Sequence, residues 1–518
     1  MFSKLMTVYK YIKLKKINSE TCNKSNYSCE SIPKSIAEVK KKLVEDFKNC
    51  SDVIYKEVIL GSEKRRGLVC YIALLADRKV IDNELVNSIM SNEIILPNKR
   101  AIEYVMNSII TECEVEKLSS YEDAIEKILS GNGVLFIEGE KSALSINAQY
   151  NFGRSVEEPD NETVVRGPKE GFIESIDVNI ALIRKKIKDI NLKVEKIKLG
   201  QKTKTEVAIC YLNGTVKKEI VEEVKKRVNK IKIDAILESG YIEQFIEDKP
   251  YSTFSTVGNT EKPDVVSAKI LEGRVAILCD GSPHVLTVPH LFVENIQISE
   301  DYYGNTIISS YLRMIRVISV FISILLPGIY VALQTFHQEM IPTVLLISMT
   351  SAREGVPFPA AIEALLMNFF FELLRESGVR LPRAIGPAIS IVGALILGEA
   401  GVNAGLISAP MVMVIALTGL AAFITPSLTG PITTNRVIFI ILGGTLGIYG
   451  ISAGVYIMLT NMLSIKSFGV PYMYSFSPFI NFKDSILRFP MFKMKKSSEH
   501  LDKYNLTAEK EEETKKNE

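Results

Sequence analysis

From Ser310 to Phe479 the chain passes through a series of long apolar stretches with few charges, beginning Val317-Ile-Ser-Val-Phe-Ile-Ser-Ile-Leu-Leu-Pro-Gly-Ile-Tyr-Val-Ala-Leu. A helix that crosses a bilayer needs about 20 mainly apolar residues, and Val317 to Gln334 nearly meets that alone. The feature divides the molecule, because the roughly 300 residues before it are charged and turn-rich, as expected of a water-exposed domain. The mean hydropathy of +0.15 is therefore an average over two unlike halves. A formal net charge of +2 leaves no basic footprint for nucleic acid, so no nucleic-acid partner is expected.

The seven cysteines, at 22, 29, 50, 70, 113, 210 and 279, all precede the apolar region, and none forms a Cys-x-x-Cys pair. Cys70, Cys210 and Cys279 lie in apolar, strand-like runs where a free thiol packs as a small hydrophobe. An odd count without metal spacing points to a reducing compartment on the cytoplasmic side. The start carries Lys4, Lys10, Lys13, Lys15 and Lys16 but no apolar run of signal-peptide length, so it reads as a basic disordered tail.

The first half repeats itself. Lys127-Ile-Leu-Ser-Gly131-Asn-Gly-Val134-Leu-Phe-Ile-Glu138-Gly139 aligns without a gap on Lys269-Ile-Leu-Glu-Gly273-Arg-Val-Ala276-Ile-Leu-Cys-Asp280-Gly281. Each reads as a helix end, a glycine stop, a buried strand and an acidic-Gly turn into a further strand. Upstream, Gly67-Leu-Val-Cys-Tyr resembles Val207-Ala-Ile-Cys-Tyr in the same order. The expected architecture is a duplicated α/β soluble domain followed by an α-helical transmembrane domain. Its parts are a tail (1–35), a first subdomain (36–150), a linker (151–170), a second subdomain (171–300), a membrane domain (310–480) and a charged cytoplasmic tail (481–518).

Strand-helix-strand units are able to place a ligand at the carboxyl ends of their strands, but no residue pattern marks such a site. Gly131-x-Gly lacks the rest of a dinucleotide fingerprint, and there is no phosphate-binding glycine loop. His284 and His290 have no carboxylate or thiol at metal spacing and read as structural. No catalytic constellation, metal set or cofactor motif stands out, so neither enzyme activity nor a cofactor is expected.

Within the apolar half, Ala384–Gly398, Val402–Ile424 and Val437–Ser464 are further candidate spans, the last containing Gly443, Gly444, Gly447 and Gly450. Small residues at such spacing let helices approach closely. The segment Ile341–Arg375 differs: it is interrupted by Ser351-Ala-Arg-Glu-Gly-Val-Pro357-Phe-Pro359, which predicts a broken helix with Pro357 and Pro359 at the break. Beyond it, Asn368, Glu372 and Glu376 recur every four residues, giving an otherwise apolar helix a polar stripe, and Glu363 precedes them in the same segment. Two readings stand. The stripe faces an interior pathway, since ionisable groups at membrane depth are costly, or the helix lies in the interface with its carboxylates among headgroups. Arg313 and Arg316, before the first span, place the soluble half inside. A basic segment from Lys483 places the tail inside too, which requires four or six crossings.

Several longer motifs carry a resemblance. The run Glu158-Pro-Asp-Asn-Glu-Thr-Val-Val-Arg-Gly-Pro-Lys-Glu-Gly-Phe-Ile-Glu, then Asn179-Ile-Ala-Leu-Ile-Arg-Lys-Lys-Ile, Gly355-Val-Pro-Phe-Pro-Ala, and Leu373-Leu-Arg-Glu-Ser-Gly-Val-Arg-Leu-Pro resemble the A subunits of GerA-type spore germination receptors. The resemblance implies a subunit in the spore inner membrane that works with a multi-spanning, nutrient-binding B subunit and a lipoprotein C subunit. It also implies a homo-oligomeric ring whose membrane part conducts cations, the alternative being a non-conducting scaffold that transmits a signal. On that reading Glu363, Asn368, Glu372 and Glu376 are the candidate pore-lining residues, and Pro357 and Pro359 the candidate gating break. Asn368 departs from the family pattern, which carries Glu at this place in many members.

Overall fold

A computed structural model of the chain describes residues 31–61, 64–73, 75–83, 101–108, 114–150, 159, 162–380, 398–474 and 484–490. The expected span Ala384–Gly398 (but for Gly398), most of the N-terminal tail and the last residues of the C-terminal tail lie outside these.

The first repeat contains α1 (Ile36–Asp46), β1 (Val53–Leu60), β2 (Arg65–Ile72), α2 (Ala101–Ser108), β3 (Val115–Leu118), α3 (Tyr121–Leu129), β4 (Gly133–Ile137) and β5 (Ala143–Ile146). Its sheet has the order β1-β2-β4-β5-β3, and every pair is antiparallel. Strand side chains alternate between faces. Leu68, Cys70, Ile72, Val134 and Phe136 therefore pack against α1 and α3, while Val69, Tyr71, Leu135, Leu144 and Ile146 pack against α2. Burial on both faces explains why these strands read as continuous apolar runs. Antiparallel pairing also leaves this sheet without a common carboxyl edge, so the ligand crevice of a parallel sheet does not form there.

The second repeat contains α4 (Ile176–Lys186), β6 (Leu192–Leu199), β7 (Thr205–Leu212), α5 (Lys218–Asn229), α6 (Ser239–Ile246), β8 (Gly258–Thr260), α7 (Pro263–Leu271), β9 (Val275–Cys279) and β10 (Val285–Val288). Its sheet order, β6-β7-β9-β10-β8, reproduces that of the first. The units α3-β4-β5 and α7-β9-β10 have equal element lengths at one constant displacement in sequence. Gly131 and Gly273 stop the helices at φ +94° and +87°. A Cβ at these positions would come within 2.8 Å of Leu75 O and 2.9 Å of Thr215 O, so both conformation and space call for glycine.

The resembling motif around 160–187 has a structural role. The Asn179 amide closes on the backbone of Ile173, accepting from its N–H at 2.9 Å and donating to its carbonyl at 2.6 Å. Arg184 makes a buried bidentate pair with Asp52, Nε–Oδ2 2.7 Å and Nη2–Oδ1 3.0 Å. Burial opposes the guanidinium's charge, but the Asp52 carboxylate outweighs it and raises the Arg184 pKa.

By compactness the chain forms two units: Met1–Val156 with Ile173–Ile197 and Ala208–Asn213, and Glu157–Phe172 with Lys198–Val207 and Gly214–Glu518. The second unit therefore holds most of the second repeat together with the apolar helices. These are α8 (Thr306–Thr335), α9 (Thr343–Ser351), α10 (Ala360–Arg380), α11 (Ala409–Phe423) and α12 (Thr429–Ser464), followed by a small hairpin of β11 (Lys466–Ser467) and β12 (Val470–Pro471).

Among the described residues two helical stretches, Thr306–Thr335 and Pro426–Ser464, are long and apolar enough to cross a membrane. The expected span Val402–Ile424 is shorter than its hydropathy suggests. Gly405 at φ +64° interrupts it, and α11 begins only after Ser408, with Pro410 in its first turn, leaving 15 residues. The glycines of the last span are used within the chain. A Cβ on Gly443 would run into Gly328 O of α8, one on Gly328 itself would lie 2.6 Å from Phe439 O, and one on Gly444 would lie 2.6 Å from Ala361 Cβ of α10. Gly447 (φ +63°) breaks the helical path of α12 beside Phe336 and His337.

Candidate functional site

The predicted break is present: α9 ends at Ser351, α10 begins at Ala360, and Pro357 and Pro359 lie in the irregular stretch between them. The polar side chains of α10 separate into three environments. Glu363 is fully buried, and its Oε1 accepts from Ser408 N (2.7 Å) and Ser408 Oγ (2.6 Å) at the N-terminus of α11. The unpaired N–H groups and the helix dipole there favour a carboxylate. Arg353, from the break, brings Nε to 3.5 Å of Glu363 Oε2. Glu363 thus joins the break, α10 and α11.

Asn368 and Glu372 converge on Arg436 of α12, which is completely buried. Arg436 Nη1 donates to Asn368 Oδ1 at 3.1 Å and stands 3.6 Å from Glu372 Oε1, while Nε donates to Ser323 O of α8 at 2.8 Å. Glu372 also pairs with Arg375 at 2.6 Å and accepts from Thr433 Oγ1 at 3.2 Å. A buried cation needs such partners, because leaving one unpaired costs several kcal/mol, roughly 3–5. Glu376 is apart from this cluster: it is exposed and pairs with Arg380 one turn on, at 2.6 Å. The structure therefore brings together Asn368 and Glu372, and neither Glu363 nor Glu376 with them.

Arg436 was missed as a candidate because it precedes the apolar run beginning at Val437 and reads as a flank. Its signal was present, since it is the only charged residue between Glu399 and Lys466.

A second polar network ties the start of α8 to the segment just after the second repeat, inside the same compact unit, and Arg316 Nη1 donates to Ile296 O of the repeat itself at 3.1 Å. Arg313 and Arg316 are not free charges ahead of a span. Helix α8 starts at Thr306, so both lie within its first turns, where Asp301 takes Arg316 in a bidentate pair (2.7 and 2.8 Å) and accepts from Arg313 Nε at 3.2 Å. Asp484 completes the cluster, 3.0 Å from Arg313 Nη1 and accepting from Tyr302 OH at 2.8 Å. Burial pushes the Asp484 carboxyl up against the pull of Arg313.

The far end of α12 is anchored in the same repeat. Ser467 Oγ donates to Thr256 O at 2.7 Å and accepts from His290 N at 3.0 Å, and Phe468 N donates to Asp248 Oδ2 at 2.8 Å. His290 is buried with its ring between Glu294 and Asn295, each at 3.3 Å, so it has the structural role its surroundings in sequence suggested. His284 is partly exposed beside Glu261 at 3.5 Å. No group of three or more metal-ligating side chains occurs among the described residues.

The class defined so far is a duplicated α/β domain whose second repeat grips both ends of a polar-seamed helical region. Comparison with known proteins specifies it. The family described as Bacillus/Clostridium GerA spore germination protein matches residues 41–500. Spore germination protein KA of Bacillus subtilis (strain 168) is 44% identical over 478 residues, covering 91% of this chain and 87% of that protein. Spore germination protein GerLA of Bacillus cereus is 36% identical, covering 90% and 96%. The crystal structure of the N-terminal domain of the A subunit of the Bacillus megaterium spore germinant receptor GerK3 is 33% identical, with a TM-score of 0.42, covering 51% of this chain and 99% of that one. The chain belongs to the GerA family of spore germination proteins.

Proposed function

We propose that this chain is the A subunit of a nutrient-responsive germination receptor of the spore inner membrane, with its soluble domain on the cytoplasmic side. It works with a multi-spanning B subunit and a lipoprotein C subunit, and copies of it assemble around a nutrient-gated cation pathway whose opening starts germination. The observation that carries this reading is the anchoring of both long apolar helices at the second repeat, α8 through Arg316, which donates to Ile296 O at 3.1 Å and pairs with Asp301 just beyond the repeat, and α12 through the Ser467 hairpin. A displacement of that repeat is transmitted to the helices that would cross the membrane, because buried charged contacts do not stretch. The break at Pro357 and Pro359, followed by Glu363 and the α10 stripe, supplies irregular backbone and carboxylates at the depth where a ring of copies would meet cations.

A non-conducting, signal-transmitting role is favoured by one observation: Asn368 and Glu372 are already occupied by Arg436 within a single chain. Potassium flux separates the two. In liposomes holding the chain with its B and C partners, a pore lined by α10 changes its ion preference with Glu372→Gln. Nutrient-evoked flux whose preference is unchanged removes α10 from the pathway, and verified assembly without flux leaves the transmitting role.

A further inference from the structure

Helix α12 is not a single rod. In a straight α-helix Phe439 and Gly454 would stand about 22 Å apart, yet a Cβ on Gly454 would lie 2.9 Å from the Phe439 ring, and one on Gly450 would lie 2.6 Å from Leu442 O. The chain therefore doubles back at Gly447, whose φ of +63° permits the reversal, into two antiparallel arms, 429–446 and 448–464. The turn lies beside Phe336 and His337 at the far end of α8, so both open ends of this helical hairpin return toward the second repeat. Each arm is about 25 Å long, close to the roughly 30 Å of a bilayer's hydrocarbon core.

One loop of the second repeat meets both of those ends. In residues 248–255, which follow α6, Thr253 Oγ1 accepts from Asn435 Nδ2 of the first arm at 3.4 Å, and Lys249 Nζ donates to Ser464 Oγ of the second at 2.7 Å. The loop is firmly held. Asp248 accepts from Phe468 N at 2.8 Å and pairs with Arg227 at 2.8 Å, and Phe254 is buried among Val320 and Ile324 of α8 and Ile432 and Phe439 of α12. Between these fixed points Ser252 N donates to Lys249 O at 2.9 Å, closing a turn with Pro250 and Tyr251 at its centre. Tyr251 is completely exposed at the tip.

The place of that tip decides what covers it. It lies at the level of Asn435 and Ser464, with exposed Leu463 beside it on the second arm and exposed Lys466 just beyond. Where the arms cross a bilayer, this level is the boundary of acyl chains and headgroups, where a tyrosine places its ring in apolar surroundings and its hydroxyl in water, and where lysines flank a span. We propose that Tyr251 is a membrane-interface anchor, inserted among phospholipid headgroups so that the second repeat rests on the bilayer beside the helical hairpin. The anchor rests on the reading that the apolar helices cross the membrane, and adds to it a direct contact between the soluble domain and lipid.

The chain contains no tryptophan, so Tyr251→Trp supplies a sole fluorescent reporter, and Tyr456→Trp, on the exposed side of the second arm, supplies one within the span in a separate variant. Each full chain is reconstituted in phosphatidylcholine–phosphatidylglycerol vesicles, with and without lipids brominated near the carbonyl end of the acyl chains, and dissolved acrylamide reports access from water. The expected result is that bromine removes about half or more of the Tyr251→Trp emission, whose maximum is blue-shifted from that of N-acetyltryptophanamide. Quenching of Tyr456→Trp but not of Tyr251→Trp, with the latter open to acrylamide, overturns the anchor and leaves the crossing arms. Shielding of Tyr251→Trp from both quenchers shows that a protein surface covers it, and overturns the anchor equally. If Tyr456→Trp itself escapes bromine, the crossing reading fails and the anchor with it. Tyr251 makes no buried contact, and a melt equal to the parent's verifies that the fold persists.

Discussion

The first and second repeats are built on one strand order and one pair of glycine-stopped helices, yet one has an open hollow and the other is closed and tied to the helices. Duplication kept what the backbone requires: the positive-φ stops, the alternating buried strands and the register. It released what only side chains decide. In the second repeat Glu294, His290 and the Ser467 hairpin convert the sheet edge into an anchor. In the first, Asn132 stands where Arg274 does, Lys127 pairs with Glu116 at 2.5 Å, and that place is an open groove. Shared topology therefore specifies a frame, and the division of labour between the copies lies in a handful of polar substitutions.

The largest expected effect falls on the anchored copy. Asp301→Ala strands Arg316 in a buried site, leaves Arg313 with Asp484 as its carboxylate, and should cost about 3–5 kcal/mol, seen as a strongly lowered melting temperature or failure to accumulate in membranes. A wild-type melt for that variant would mean that the ion pairs to Asp301 do not hold the start of α8. Next come the shared glycines. Gly131→Ala and Gly273→Ala should each cost about 2 kcal/mol or more, from left-handed strain and backbone collision together. Gly139→Ala, at φ +87° with nothing within 4 Å of its new Cβ, should cost about 1 kcal/mol from strain alone. If the first two differ sharply from each other in denaturant melts, the repeats do not share the frame described.

The smallest effect separates the copies by pH. Burial works against the Glu294 charge, but Arg274 and Lys269 prevail and hold its carboxyl well below the usual 4.5. A depressed folded pKa contributes stability that is present above the unfolded value and lost as pH falls through the folded one. Acid melts below about pH 4.5 should therefore fall more steeply for the parent chain than for Glu294→Gln. Equal slopes would show that this carboxylate is not the one filling the hollow.

Some of this was legible beforehand. The constant displacement between Lys127–Gly139 and Lys269–Gly281 announced the duplicated frame, because glycine stops and buried strands are local requirements written at fixed spacing. The break at Pro357 and Pro359 was legible for the same reason. The partners of the α10 stripe were not. Nothing in the spacing of Asn368 and Glu372 indicates that a lone arginine some seventy residues later will lie against them. Likewise, the hydropathy of Val402–Ile424 concealed the stop at Gly405, since apolar content does not report backbone conformation.

The sequence by itself determined the partition into a duplicated polar half and an apolar half, the class of each element, and the place of the helix break, all of which depend on residues near one another in the chain. Tertiary structure alone decided which charges are neutralised, which glycines are used between helices, and which copy of the repeat is closed. Those outcomes depend on pairs such as Asp301 with Arg316, Arg436 with Asn368, and Gly328 with Phe439. Burial makes each such pairing energetically decisive, and only the folded chain brings its members within reach.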